Sequence, residues 1–411
     1  MTDIDLVQSL QATALAALLQ SAGTAHKLTA YRGALTPQQL DAPERETAAL
    51  TTEAAVHDLG WFRRVAVRGE DRFRWLSGMV TNTVNDLFPN TGAWNFVLNA
   101  QGHIQGDLTV WRGGEELSPQ RRKTEASGSR KNAETAADPL LGTPFAGESG
   151  LELEIAADQF DKLLAHLNQF IIMDDVELVP LGIEAPGEAG SETAIGLSGP
   201  LADEVLGRLS LPGFPHAMSG AQLEWNGYDL RLVRTYGTLV PHYELWLPIA
   251  GLPLLWSALR TAGATPIGCA TLSTLRIAEA IPLYGIDIFE RDLPQETSQT
   301  RALHFNKGCY LGQEIVERIR SRGNVHRHLR PLELTGPLPP AGTELALADG
   351  SVAGTIRSAA ALPLATGSRI FALGTIRAEA EERNETFTYT TEGAPGTARI
   401  LAAPPNLHRN S

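Results

Sequence analysis

Cysteine is nearly absent: Cys269 and Cys309 are the only two in 411 residues. That excludes a disulfide framework and a CxxC metal knuckle, and it fits a reducing, cytoplasmic setting. Two thiols from one chain also fall short of the ligand set of an iron–sulfur cluster, so no permanently bound metal is expected. Positive charge is in deficit, with 34 Lys and Arg against 47 Asp and Glu and a net charge of −13. That balance argues against a protein that coats nucleic acid generically. Long apolar runs are missing too. No stretch of about 18 uncharged apolar residues occurs, so no helix is expected to span a membrane. Asp3 and Asp5 stand where a signal peptide carries basic residues. Leu6, Leu10, Leu15, Leu18 and Leu19 instead fall near helical spacing, which predicts an amphipathic helix over residues 6–19.

What is there reads as globular: 43% of residues are hydrophobic and 20% charged. The length suggests about two or three domains. Residues 1–50 form an N-terminal helical segment. Residues 51–250 read as α+β, with strands at 65–67, 94–98, 104–111, 151–155, 176–179 and 195–197. Helices are expected at 71–80, at 158–170 with Asp158 as cap, and at 201–209. Strand, helix, strand recurs, which suggests two related α+β halves. Residues 113–150 are rich in Ser, Gly, Glu, Lys and Arg and lack aromatics until Phe145, the composition of a mobile insertion. Residues 251–328 are helix-rich. Residues 329–411 show short strands between Gly and Pro turns, which predicts a small antiparallel β-barrel.

One segment carries chemistry on its face. In Lys307-Gly-Cys-Tyr-Leu-Gly-Gln-Glu314, Gly308 and Gly312 free the backbone around Cys309, and residues 313–319 have helical periodicity. A thiol before a helix start, two residues from Lys307, is placed to ionise easily and to react. A small buried cysteine filling a gap gives the same pattern. Cys269, among small residues, matches no motif and reads as structural.

The same eight residues resemble the signature of the YgfZ family, a branch of the glycine-cleavage T-protein (GcvT) superfamily whose members assist iron–sulfur protein maturation. The resemblance extends through Leu275-Arg276-Ile277, residues 281–288, Leu293-Pro-Gln-Glu296 and Gly323-Asn-Val-His-Arg327, and more weakly through Thr81-Asn82, residues 99–102 and Met173-Asp-Asp-Val176. It departs at Ala278, where the family has Glu, and at Thr83, where it has Asp. It implies a T-protein-like fold of two α+β halves plus the barrel, tetrahydrofolate as ligand, and Cys309 with Lys307 as the active pair. A folate needs a carboxylate for its pterin N–H groups, aromatic faces for the ring, and cations for its carboxylates. Glu244 is the pterin candidate, Tyr236 and Tyr243 the flanking rings, and Arg234 and Arg276 the cations. T-proteins carry a paired Asp-Asp after their second hairpin turn; here Gly106-Asp107 leaves Asp107 alone.

Arg318, Arg320, Arg322, Arg327 and Arg330, with His326 and His328, crowd one stretch. They mark either a solvated face or a docking surface for tRNA or another acidic partner. Three functions thus compete: a folate-binding accessory factor for iron–sulfur assembly or repair, a tetrahydrofolate-dependent aminomethyltransferase, and a tRNA-interacting factor.

Overall fold

The computed structural model describes residues 10–23, 26–113, 150–182, 191–323, 325–365 and 367–407. The insertion expected at 113–150, its two end residues apart, lies outside the described residues, as does Leu6 of the N-terminal pattern.

The described chain opens with α1 (Ala14–Ser21), the hairpin β1 (Leu28–Tyr31) and β2 (Ala34–Pro37), α2 (Pro43–Thr52) and β3 (Ala55–Asp58). Helix α1 starts later than the leucine spacing suggests. The Thr13 hydroxyl accepts from the Ala16 amide at 3.2 Å and caps the helix there, while Ala12 is extended and bridges to Leu35.

Two copies of one unit follow. β4 (Phe62–Arg68), α3 (Arg72–Met79), β5 (Thr91–Leu98), β6 (Ile104–Arg112), β7 (Leu151–Ala156), α4 (Ala157–Asn168) and β8 (Glu177–Leu181) form the first. β9 (Glu192–Ser198), α5 (Ala202–Arg208), β10 (Ser219–Trp225), β11 (Tyr228–Thr235), β12 (His242–Pro248), α6 (Leu252–Thr261) and β13 (Thr265–Pro266) repeat the order. Pairing repeats as well: β5-β6-β7-β4-β8 in one half, β10-β11-β12-β9-β3-β13 in the other, with β3 inserted. The two meet edge to edge, Ser219 opposite Thr91, in an 11-stranded sheet. In α4 the cap position belongs to Ala156 and Asp158 sits in the first turn, where its charge suits the helix dipole.

Each half has an apolar core, Val65, Leu76, Val110 and Leu163 in the first and Leu197, Leu206, Leu232 and Leu255 in the second. Between the halves, ionic contacts join a small apolar cluster of Trp111 and Val233. Arg231 of β11 donates to Glu152 of β7 at 2.7 Å, and Arg64 of β4 donates to the same oxygen at 2.6 Å. β7 and β11 are not neighbours in the sheet, so the Arg231 bond crosses between halves that face each other, as does that of Arg64 to Glu192 of β9 at 2.6 Å. Each guanidinium also lies over a tryptophan, Arg231 over Trp111 at 5.1 Å and Arg64 over Trp246 at 5.5 Å.

Helices α7 (Cys269–Ala278) and α8 (Gln313–Arg322) lead to β14 (Arg327–Thr335), β15 (Glu344–Ala346), β16 (Val352–Leu364), β17 (Gly367–Arg377), α9 (Ala378–Glu382), β18 (Phe387–Thr391) and β19 (Ala394–Ile400). The six strands close into the expected antiparallel barrel, in the order β14-β17-β16-β15-β18-β19. A shared cluster of Phe96, Ile104, Tyr310, Val316, Leu329 and Phe371 fastens the barrel and α8 to the first half.

Arg231→Met strips Glu152 of one of its two cations in a buried setting. Removing one partner of such a pair costs about 3–5 kcal/mol; chemical denaturation should show a loss of that size, and an unchanged midpoint would deny the network its role.

Candidate functional site

The facing halves, α7 and the 281–283 loop enclose a cavity of about 230 Å³. Aromatic side chains wall it on two sides. Tyr31 and Trp61 pack edge to face at 4.9 Å on one, and Trp94 and Tyr236 stand on the other with the Arg301 guanidinium between them.

Glu244 projects from β12 into the cavity and accepts from the Trp246 indole N–H at 3.0 Å. It faces Glu154 of β7, which accepts from the Trp111 indole at 3.1 Å. Burial raises both carboxyls above their ordinary range, Glu244 furthest because the neighbouring Glu154 adds to the effect of burial.

A second polar chain lines the same space. The Ser198 hydroxyl lies 2.9 Å from His57 Nε2 and 2.8 Å from His242 Nδ1, and His242 Nε2 reaches a Glu279 oxygen at 2.8 Å. The other Glu279 oxygen accepts from the Thr238 and Leu239 amides at 3.1 and 2.9 Å. Two glycines make room for the imidazoles. A Cβ on Gly196 would stand 1.9 Å from the His57 ring, and one on Gly237 would stand 2.3 Å from His242.

Of the residues that the sequence assigns to a folate, Glu244, Asp107 and Tyr236 present side chains to this cavity. Tyr243 does not. Neighbouring strand residues point to opposite faces, and the Tyr243 ring packs in the second core with its hydroxyl on Asp203. Arg234 is spent on the Phe214 carbonyl, away from the cavity. Arg276 touches the wall, but its guanidinium is held by buried Asp287 at 2.6 Å and by the Ile281 carbonyl at 3.2 Å. There it fixes the loop rather than offering a free cation.

The Gly106-Asp107 pair also reads differently in three dimensions. Gly106 faces α4, where a Cβ would stand 2.7 Å from Gln159 and 2.8 Å from Leu163. Asp107 is the position that faces the cavity, accepting from Trp94 Nε1 at 2.8 Å and Gln159 Nε2 at 2.9 Å. The acid missing at position 106 therefore removes nothing from the cavity.

Cys309 and Lys307 lie outside it. Cys309 is exposed and stands three residues before Gly312, the cap of α8. The Lys307 ammonium donates to the Val80 and Asn82 carbonyls at 2.6 and 2.7 Å, and burial lowers it to about 7. Its charge is thus directed into the fold. Cys269 is buried, and burial pushes its thiol up to about 12. Among the described residues no group of His, Cys, Asp and Glu is arranged to hold a metal. The basic stretch is largely matched by the protein's own acids. Arg327 pairs with Asp292 and Glu296, Arg330 and His328 with Glu381, and Arg320 with Glu317.

With this geometry in view, comparison with known proteins gives a consistent answer. Residues 12–118 match the family model described as the GCVT N-terminal domain. The chain is 26% identical over 342 residues to an aminomethyltransferase of Nostoc sp., covering 82% of this chain and 81% of that protein. To an aminomethyltransferase of Synechocystis sp. it is 25% identical over 358 residues, covering 86% and 85%. The crystal structure of glycine cleavage system aminomethyltransferase T from Bartonella henselae has the same fold. Its TM-score is 0.76 at 20% identity, over 96% of this chain and 98% of that one. The family model and the relatives support the GcvT superfamily for this chain.

Sequence reasoning missed His57, Ser198, His242, Glu154 and Arg301, which come from separate segments; the one available signal was polar residues at inward positions of apolar strands. Burial lowers His57 from its ordinary 6.5 to about 3, with nearby His242 acting the same way. The unfolded chain takes that proton first, so stability is lost as pH falls from about 6.5 toward 3. Denaturant titrations across that range should show the decline, and a His57→Gln variant should show a shallower one.

Proposed function

We propose that this chain binds a tetrahydrofolate in the cavity between its halves. The observation that carries the reading is an aromatic-lined space that holds a buried carboxyl pair, Glu244 and Glu154. Arg301 already occupies the space between Trp94 and Tyr236, so Tyr31 and Trp61 are left to offer an aromatic face to a ring, while Glu244 meets its N–H groups and Asp107 lines the same cavity. Burial favours the protonated form of Glu244, so a ligand whose ring N–H groups it accepts is expected to displace a proton on binding.

The role of the bound folate follows from two further features. The resemblance around Cys309, together with the exposure of that thiol, favours an accessory protein of the YgfZ type that supports iron–sulfur assembly or repair. In this reading the folate and the thiol act at separate places on one chain. A second reading is aminomethyl transfer of the T-protein type, favoured by Asp107 keeping its place on the cavity. A tRNA-binding role gains nothing from arginines already paired with acids.

Calorimetric titration of the full chain with tetrahydrofolate tests the pocket. Binding should be accompanied by proton release, visible as an enthalpy that varies with the buffer's ionisation heat. Glu244→Ala should weaken it by at least about tenfold. Absence of binding to the wild type overturns the pocket reading. Deletion of the gene followed by assay of iron–sulfur enzymes separates the two roles: full rescue by a Cys309→Ala protein sinks the accessory role of that thiol. Release of ammonia from an aminomethylated lipoyl carrier in the presence of tetrahydrofolate supports the transferase, and no turnover at high protein concentration removes it.

A further inference from the structure

Arg301 sits in the short turn Thr300–Ala302, in the wall between the cavity described above and a second one of about 240 Å³. Tyr236, Glu279 and Arg301 line both. The second cavity is bounded by Ser298 and Gln299 on one side and by residues 401–405 on the other. The guanidinium carbon lies 4.3 Å from the centre of the Trp94 ring and 3.9 Å from that of Tyr236, so the plane is clamped and its direction fixed.

Its hydrogen bonding is incomplete. Nε donates to Gln299 Oε1 at 3.2 Å, and among the described residues no carboxylate makes an ion pair with the group. The nearest acids, Asp107 and Glu279, act on it only through space. Both are occupied, Asp107 by Trp94 and Gln159, Glu279 by His242 and three amides. The other arginines beside the first cavity are committed elsewhere: Arg276 to Asp287, and Arg32 to Asp158 at 3.5 Å and the Tyr284 carbonyl at 3.3 Å. A partly buried cation without a counter-ion, held rigid at the junction of two spaces, is an arrangement made for an incoming anion.

We propose that Arg301 anchors a carboxylate of a two-part ligand, whose flat ring fills the first cavity and whose anionic extension passes into the second. The ring and its carboxylate tail rest on the tetrahydrofolate reading; what is new is the assignment of the tail to Arg301 in place of Arg234 and Arg276. The ligand class is then a reduced pterin bearing a glutamyl tail, as opposed to a pterin without one. Stacking between two rings keeps the guanidinium from reorganising when the anion arrives, which is why selectivity is expected from this residue rather than from the surface arginines paired with acids.

The test compares three probes on the full chain by calorimetry: tetrahydrofolate, its triglutamate and 6-methyltetrahydropterin, which has the ring and no tail. Arg301→Gln should weaken both tailed ligands by about ten- to a hundredfold and leave the tail-less one within about twofold, while Arg301→Lys should fall between. Tetrahydrofolate bound equally by wild type and Arg301→Gln overturns the anchor while leaving the folate reading standing. Equal loss of tailed and tail-less probes also overturns it, because Arg301 then merely shapes the ring slot. No binding of any probe by the wild type sinks the folate reading and the anchor together. Should Arg301→Gln fail to fold, rising salt on the wild type serves instead. The tailed ligands must then weaken more than the tail-less one, and parallel curves refute the anchor.

Discussion

A buried carboxylate lies at the centre of the contact between the two halves. Glu152 takes hydrogen bonds from Arg231 of the opposite half and Arg64 of its own, and each arginine is capped by a tryptophan. Burying two guanidinium groups is costly unless every charge is answered, so the arrangement tolerates few alternative packings. That demand for exact matching is what keeps the halves in register. The cavity exists because the register holds: Glu154, two residues along from Glu152, is thereby brought against Glu244.

The same geometry explains why the cavity is both apolar and rich in protons. Its walls are rings, yet its floor and one side are buried carboxyls and imidazoles tied to one another. Such groups survive burial only when hydrogen-bonded in chains, and here two separate chains do so. One ends in the Glu154–Glu244 pair. The other ends in Glu279, whose carboxylate also fixes the loop that carries Tyr236 toward Arg301.

Much of the architecture was legible in the sequence. Alternation and turn residues marked the strands of both halves and the closing barrel, because local hydrophobic periodicity survives folding unchanged. The site was legible only in part. Glu244 stood out as an acid in an aromatic strand, and Asp107 as half of a known pair. Leu151-Glu-Leu-Glu-Ile155 alternates like a strand with one wet face, yet Glu152 and Glu154 are buried, since the second half covers that face. Tyr243 and Glu244 are adjacent in sequence, but side-chain alternation sends one to the core and the other to the cavity. The Cys309 signature is marked in the sequence by its glycines. Its position on the outside of the fold depends on how residues 304–311 lie against Val80 and Thr81, which no local pattern records.

The serine between the two imidazoles has a further meaning. A hydroxyl has a single hydrogen, so Ser198 donates to one ring and accepts from the other. His242 Nε2 faces the Glu279 carboxylate and donates to it, so the direction of that hydrogen follows His242 Nδ1: Ser198 donates to it where the ring is neutral and to His57 where the ring is charged, and the heavy atoms stay where they are. The interior can thus hold two charge patterns in one shape. X-ray diffraction at ordinary resolution sees a single state there, whereas neutron diffraction or the nitrogen resonances of His57 and His242 would tell the two apart.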